Sequence, residues 1–123
     1  MERKISRELE LAEQLLQDAK FLLEGDSFRS SVNRAYYAAY HGVRALLASE
    51  GLNPKTHKGV LNQFGEAFIK TGKIDIALSD TLRRCFDARH EADYDIFAIF
   101  DEEEVEEMIS EVEALLEQMR QHL

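Results

Sequence analysis

Cysteine, proline and tryptophan are almost missing from this chain, and their scarcity narrows what it can be. A single cysteine, Cys85, in 123 residues leaves no internal disulfide framework and no cysteine-built zinc site. One proline and six glycines give too little punctuation for many short strands joined by tight turns, so long helices are favoured. No apolar run approaches the ~20 residues of a membrane span. The opening "MERKISRELELAEQLL" lacks the continuous apolar stretch of a secretory signal. Nor is there a phosphate loop, a dinucleotide fingerprint or a Ser-His-Asp array. These absences lead to the expectation of a soluble, cytoplasmic protein with no membrane partner.

What is present is a globular balance, 45% hydrophobic and 32% charged, at a length that suits one domain over residues 1–123. The net charge of −9 is uneven: residues 1–90 sum to +2, and residues 91–123, whose one basic residue is Arg120, sum to −11. Broad nonspecific binding to nucleic acid is disfavoured by that total, because it depends on neutralising phosphates. A local basic cleft in the first 90 residues stays open. The acidic end reads either as a solvated helix face or as a surface for a basic partner.

Hydrophobic spacing organises the chain into helices. Ile5, Leu9, Ala12, Leu16, Ala19 and Leu23 recur at steps of four and three, an amphipathic seam that Gly25 is expected to end in a left-handed cap. Asp26 or Ser27 is expected to cap a second helix that runs to about Glu50, before Pro54 breaks the chain. A third helix fits residues 57–70. A fourth fits residues 75–92, with Ile76, Leu78, Leu82 and Phe86 inward. "DYDIFAIF" reads as a packed connector, since a lone strand would have no partner. Asp101 with Glu104 resembles a capping box, and Val105, Met108, Val112, Leu115, Met119 and Leu123 continue at heptad-like spacing. The expected fold is all-α, an antiparallel up-and-down bundle of four to five helices.

Within the second helix, "SVNRAYYAAYHGVRALL" separates into two stripes. Val32, Tyr36, Ala39, Val43, Leu46 and Leu47 make an apolar face. Arg34, Tyr37, His41 and Arg44 form a line along another. Small residues, Gly42 among them, would let a neighbouring helix come close. A buried helix carries arginines only with partners, and an exposed one has little use for aromatics, so the line suits a cleft or an interface. Surface ion pairs, a dimer interface and a ligand or RNA cleft all remain compatible with it.

Two further clusters carry chemistry. "LRRCFDARHEADYD" is the most basic short segment, with Arg83, Arg84, Arg89 and His90. An arginine that stabilises a phosphate beside a proton-carrying histidine is a minimal kit for metal-free RNA cleavage. A plain Arg89–Asp93 salt bridge is the other reading of the same residues. In "PKTHKG", Lys55, His57 and Lys58 meet a helix start, either an anion site or an ordinary polar loop. Cys85 reads as a buried small residue.

Taken in order, "NRAYYAAYHGVRALL", "GLNPKTHKGVLNQFGEAFIKTGKI" and "LRRCFDARHEADYD" resemble the HEPN family (higher eukaryotes and prokaryotes nucleotide-binding), in its small stand-alone prokaryotic branch. The resemblance implies a helical bundle that forms a homodimer with a cleft at the interface, and pairing with a minimal nucleotidyltransferase in a toxin–antitoxin-like system. It also implies a metal-independent ribonuclease needing no cofactor. Active members carry an arginine and a histidine separated by four to six intervening residues. Counting from Arg89, that position falls on Tyr94, Asp95 or Ile96, so the expected histidine is absent. Arg84 with His90, Arg83 with His90, and Arg34 with His41 satisfy the spacing. The expected catalytic set is therefore Arg89 or Arg84 on the phosphate and His90 or His41 on the proton. Arg34, Tyr37, Arg44, Lys55, Lys58, Asp93 and Tyr94 are expected to hold RNA or nucleotide. A non-catalytic nucleotide- or partner-binding module is the alternative, and a purely structural dimer a third.

Overall fold

The computed structural model describes residues 2–123, and among them it contains five helices and no strand, an all-α bundle. The helices are α1 (Glu2–Glu24), α2 (Phe28–Ser49), α3 (His57–Phe64), α4 (Ile76–Tyr94) and α5 (Glu102–Arg120), with a π-helical turn at Gly65–Ile69 after α3. Among the described residues no helix is long and apolar enough to cross a membrane.

Helix α2 is the centre, with thirteen of its residues buried against α1, α4 and α5. Contacts fix the directions. The Ser31 hydroxyl donates to the Ala19 carbonyl at 2.8 Å while Glu8 meets His41 and Arg44, so α1 and α2 run antiparallel. Lys20 with Glu113, and Glu13 with Arg120, set α1 antiparallel to α5. Asn33 with Asp93, and Tyr36 with Phe86, do the same for α2 and α4.

The helix ends show where local chemistry differs from the simplest reading. At the end of α1 the left-handed residue is Asp26 (φ 60°), not Gly25. The Ser27 amide donates to Leu22 and the Asp26 amide to Leu23, which makes Gly25 the last helical cap and puts the reversal one residue later. Aspartate tolerates this conformation better than most side chains do. Ser27 precedes α2 but makes no side-chain capping bond. Gly51 (φ 76°) ends α2 by the same two-bond pattern. Thr56, Asp75 and Asp101 each accept a backbone amide of the helix they start.

Two apolar expectations change. Ile76, at the first position of α4, is exposed, and Ile74 two residues before it takes the buried place instead. The connector between α4 and α5 is not packed: Ile96, Phe97 and Ile99 are 84%, 83% and 89% exposed, and Phe100 alone of these turns inward against the core. This strap is nevertheless held. The Arg29 guanidinium donates to the carbonyls of Ala92 (2.6 Å), Asp95 (2.9 Å) and Ala98 (2.7 Å), satisfying acceptors that the end of α4 leaves free.

Candidate functional site

Viewed along its axis, α2 has two unlike halves. One half is small and apolar, and it lets α5 approach: a Cβ on Gly42 would lie 2.9 Å from the Met119 sulfur and closer still to Leu116. The other half carries Tyr36, Tyr37, Tyr40, His41 and Arg44, and toward α4 and α3 it builds a polar and aromatic seam.

Arg89 of α4 is embedded in that seam. Only 9% exposed, its guanidinium lies over the rings of Tyr36 (5.1 Å), Phe86 (5.6 Å) and Tyr37 (5.8 Å). One terminal nitrogen donates to Asp93 at 3.3 Å, and the buried Nε has no partner among the described residues. Burial works against the charge, but Tyr37, Asp93 and Tyr36 together outweigh it and raise the pKa of Arg89. Tyr36 is buried, and that desolvation raises its phenol well above the ordinary value against the pull of Arg89.

Toward α3, the Tyr36 hydroxyl and His57 Nδ1 share a hydrogen bond at 2.6 Å, and the His57 ring stacks on Tyr40 at 4.5 Å. Burial, then the charges of Arg89, Arg44 and His41, lower the pKa of His57. Across the seam, His41 Nδ1 meets Glu8 Oε2 at 2.6 Å, and Arg44 Nε donates to the other Glu8 oxygen at 3.1 Å. Hydrogen bonding to Tyr40, together with Glu8, raises the pKa of Arg44 against the cost of burial.

The remaining sequence candidates divide. Asn33 bridges the two helices, donating to Asp93 at 3.1 Å and accepting from Arg34 at 2.6 Å, so Arg34, Asn33, Asp93 and Arg89 form one chain. This chain borders an open groove of about 530 Å³ that Tyr94 also lines. His90 stands apart from the Arg89 nest; it is exposed and lies 4.9 Å from the Tyr94 ring one turn on. Arg84 points the other way, into an ion pair with Glu111 of α5. Lys55 and Lys58 are exposed beside the start of α3. Cys85 is buried, which pushes its thiol up to about 12 and keeps it protonated.

Three residues central to the seam carry no site reading in the sequence: Glu8, Tyr36 and Tyr40. Glu8 carried a weak signal, since a carboxylate three residues after Ile5 and four before Ala12 sits on the apolar side of its helix. His57 stands in the sequence only beside Lys55 and Lys58, as part of an anion site or of a polar loop. Nothing local shows that the loop folds its ring against Tyr36.

A family model described as "HEPN domain" matches residues 5–122. Among similar proteins, a "UPF0332 protein" of Thermotoga maritima is 41% identical over 86% of this chain and 80% of its own length. Two proteins of Methanocaldococcus jannaschii are also similar. "Putative toxin MJ0605" is 37% identical over 94% of this chain and 85% of its own length. "Putative toxin MJ0142" is 31% identical over 98% and 82%.

Proposed function

This chain belongs to the HEPN domain family, and on that premise we propose that it is a toxin-like member which pairs with a minimal nucleotidyltransferase and cleaves RNA without a metal ion. The toxin names of the two M. jannaschii relatives support the toxin-like part of that reading, and the pairing follows from the family resemblance alone. The observation that carries the RNA cleavage is Arg89. A guanidinium that is desolvated, packed on three aromatic rings and still short of one hydrogen-bond partner is costly to keep for stability alone. It suits a site where negative charge develops on a phosphate, in a low-dielectric setting that strengthens the interaction.

The working unit is a homodimer, with the strap between α4 and α5 as the contact. Tyr94, Ile96, Phe97 and Ile99 expose large apolar side chains along one short strap, and Arg29 fixes its backbone. A second copy is the occupant, because one self-complementary patch repeated by a two-fold axis buries both copies at once. The strap continues directly into the groove of Asn33, Arg34, Asp93 and Tyr94, so pairing there sets that groove beside the interface.

A second reading, a non-catalytic module that holds a nucleotide or its partner, is favoured by Tyr94, Asp95 and Ile96 standing where the motif histidine is expected. Cleavage of a mixed RNA pool by the purified protein, with chelator present, separates the two. Cutting that is lost in Arg89→Ala supports the ribonuclease. A folded dimer that does not cut leaves the binding module.

A further inference from the structure

We infer that proton transfer at this site is carried by two histidines from different helices, His57 at the start of α3 and His41 on α2, in place of a histidine following Arg89 along α4. The inference rests on the ribonuclease reading and names the groups that would perform it.

The geometry is specific. Both imidazoles pack on the same pair of tyrosines: His57 lies 4.5 Å from the Tyr40 ring and 5.9 Å from Tyr37, and His41 lies 5.4 Å and 6.5 Å from them. Each has Nδ1 engaged by an orienting partner, the Tyr36 hydroxyl for His57 and the Glu8 carboxylate for His41, both at 2.6 Å. Among the described residues neither Nε2 has a hydrogen-bond partner, so the second nitrogen of each ring is the one left for chemistry. Both rings are half-buried rather than sealed. Arg89 and Arg44 stand on the same tyrosines, Arg89 over Tyr36 and Tyr37 and Arg44 at 5.7 Å over Tyr40, so cationic groups flank both histidines.

The roles follow from the surroundings. Facing His57 are Tyr36, Tyr37, Tyr40, His41 and Arg44 from α2, and Arg89 from α4. Burial and those cationic neighbours keep its ring neutral at pH 7, the form that accepts a proton. With Nδ1–H donating to the Tyr36 oxygen, Nε2 holds the free lone pair. His41, in its protonated form an ion pair with Glu8, supplies the proton that leaves. In the step itself, His57 Nε2 takes the proton of a ribose 2′-hydroxyl, and that oxygen forms a bond to the adjacent phosphorus. The bond from phosphorus to the 5′-oxygen breaks, and that oxygen leaves with the proton from His41. The products are a 2′,3′-cyclic phosphate and a 5′-hydroxyl, and proton exchange with water resets both rings.

The test is the pH dependence of kcat on a fluorescent RNA oligonucleotide, with chelator present, for the full chain and for His57→Gln, His41→Gln and Arg89→Ala. Each histidine variant is expected to lose 10²–10⁴-fold. His57→Gln should also lose the rise on the acid side of the profile. Free imidazole should restore part of the activity to His57→Ala, which a folding defect would not permit. If the parent cuts, Arg89→Ala fails, and the histidine variants keep their rate and His57→Gln its acid limb, the inference is wrong and the ribonuclease reading stands. A limb lost in His90→Gln and kept in His57→Gln also overturns it. No cutting by the folded parent removes both.

Discussion

The two halves of α2 show what the same helix does for packing and for chemistry. The half facing α5 is made of small and aliphatic residues at zero exposure, and Gly42 brings the α5 side chains against the backbone. The half facing α4 and α3 keeps three tyrosines, a histidine and two arginine contacts in a space that aliphatic residues could fill. Close packing alone explains the first half. The second half is more polar than a core requires and drier than a surface allows, and that mismatch makes it the candidate site.

The contrast can be broken from either side. Tyr36→Ala removes a fully buried ring where the nest meets the core, and we expect a loss of about 3–5 kcal/mol in urea unfolding. Tyr36→Phe, which keeps the ring and loses only the bond to His57, should cost about 1 kcal/mol. On the opposite half, Gly42→Ala should cost about 1–3 kcal/mol by overpacking against Leu116 and Met119, with the turnover of folded molecules unchanged. Adding Leu116→Ala should cost less in that background than in the parent, a coupling that a double-mutant cycle reads directly.

Outside α2, replacing Ile96, Phe97 and Ile99 with serine should leave the far-ultraviolet helical signal in place and convert a dimer into a monomer by sedimentation. A dimer that survives would put the contact elsewhere. The smallest expected effect is on pH. The folded-state pKa of His57 is depressed below the ordinary 6.5, so the folded chain resists protonating a group that the unfolded chain protonates readily. Stability from this group is present above pH 6.5 and is lost as pH falls through the folded value. Thermal melts of the parent should therefore fall more between pH 7.5 and 5.5 than those of His57→Gln.

Much of the fold was legible because it is written in local spacing. Ala12, Leu16 and Ala19, or Val105, Val112 and Met119, bury just where the periodicity puts them. Asp75 and Asp101 start their helices as their side-chain chemistry dictates. The line of Arg34, Tyr37, His41 and Arg44 was also readable as a special face. What that face pairs with was not, because Glu8 reaches His41 from α1, while His57 of α3 and Arg89 of α4 both reach Tyr37, all over long separations in the chain that no local pattern records. The strap misled for a related reason. Apolar residues without a partner read as core in a sequence, yet Arg29 holds these three in the open.

The account stands on Arg89 being kept for function at the expense of packing. Its most direct test is to measure RNA cleavage and unfolding free energy together in Arg89→Met. Methionine fills the nest without a charge, and Asp93 retains Asn33 and solvent as partners. The account predicts that cleavage disappears while stability stays within about 1 kcal/mol of the parent or rises, as when buried charges are replaced by apolar groups of similar size. Cleavage that persists, with stability falling by about 3–5 kcal/mol, would make Arg89 a structural anchor and contradict it.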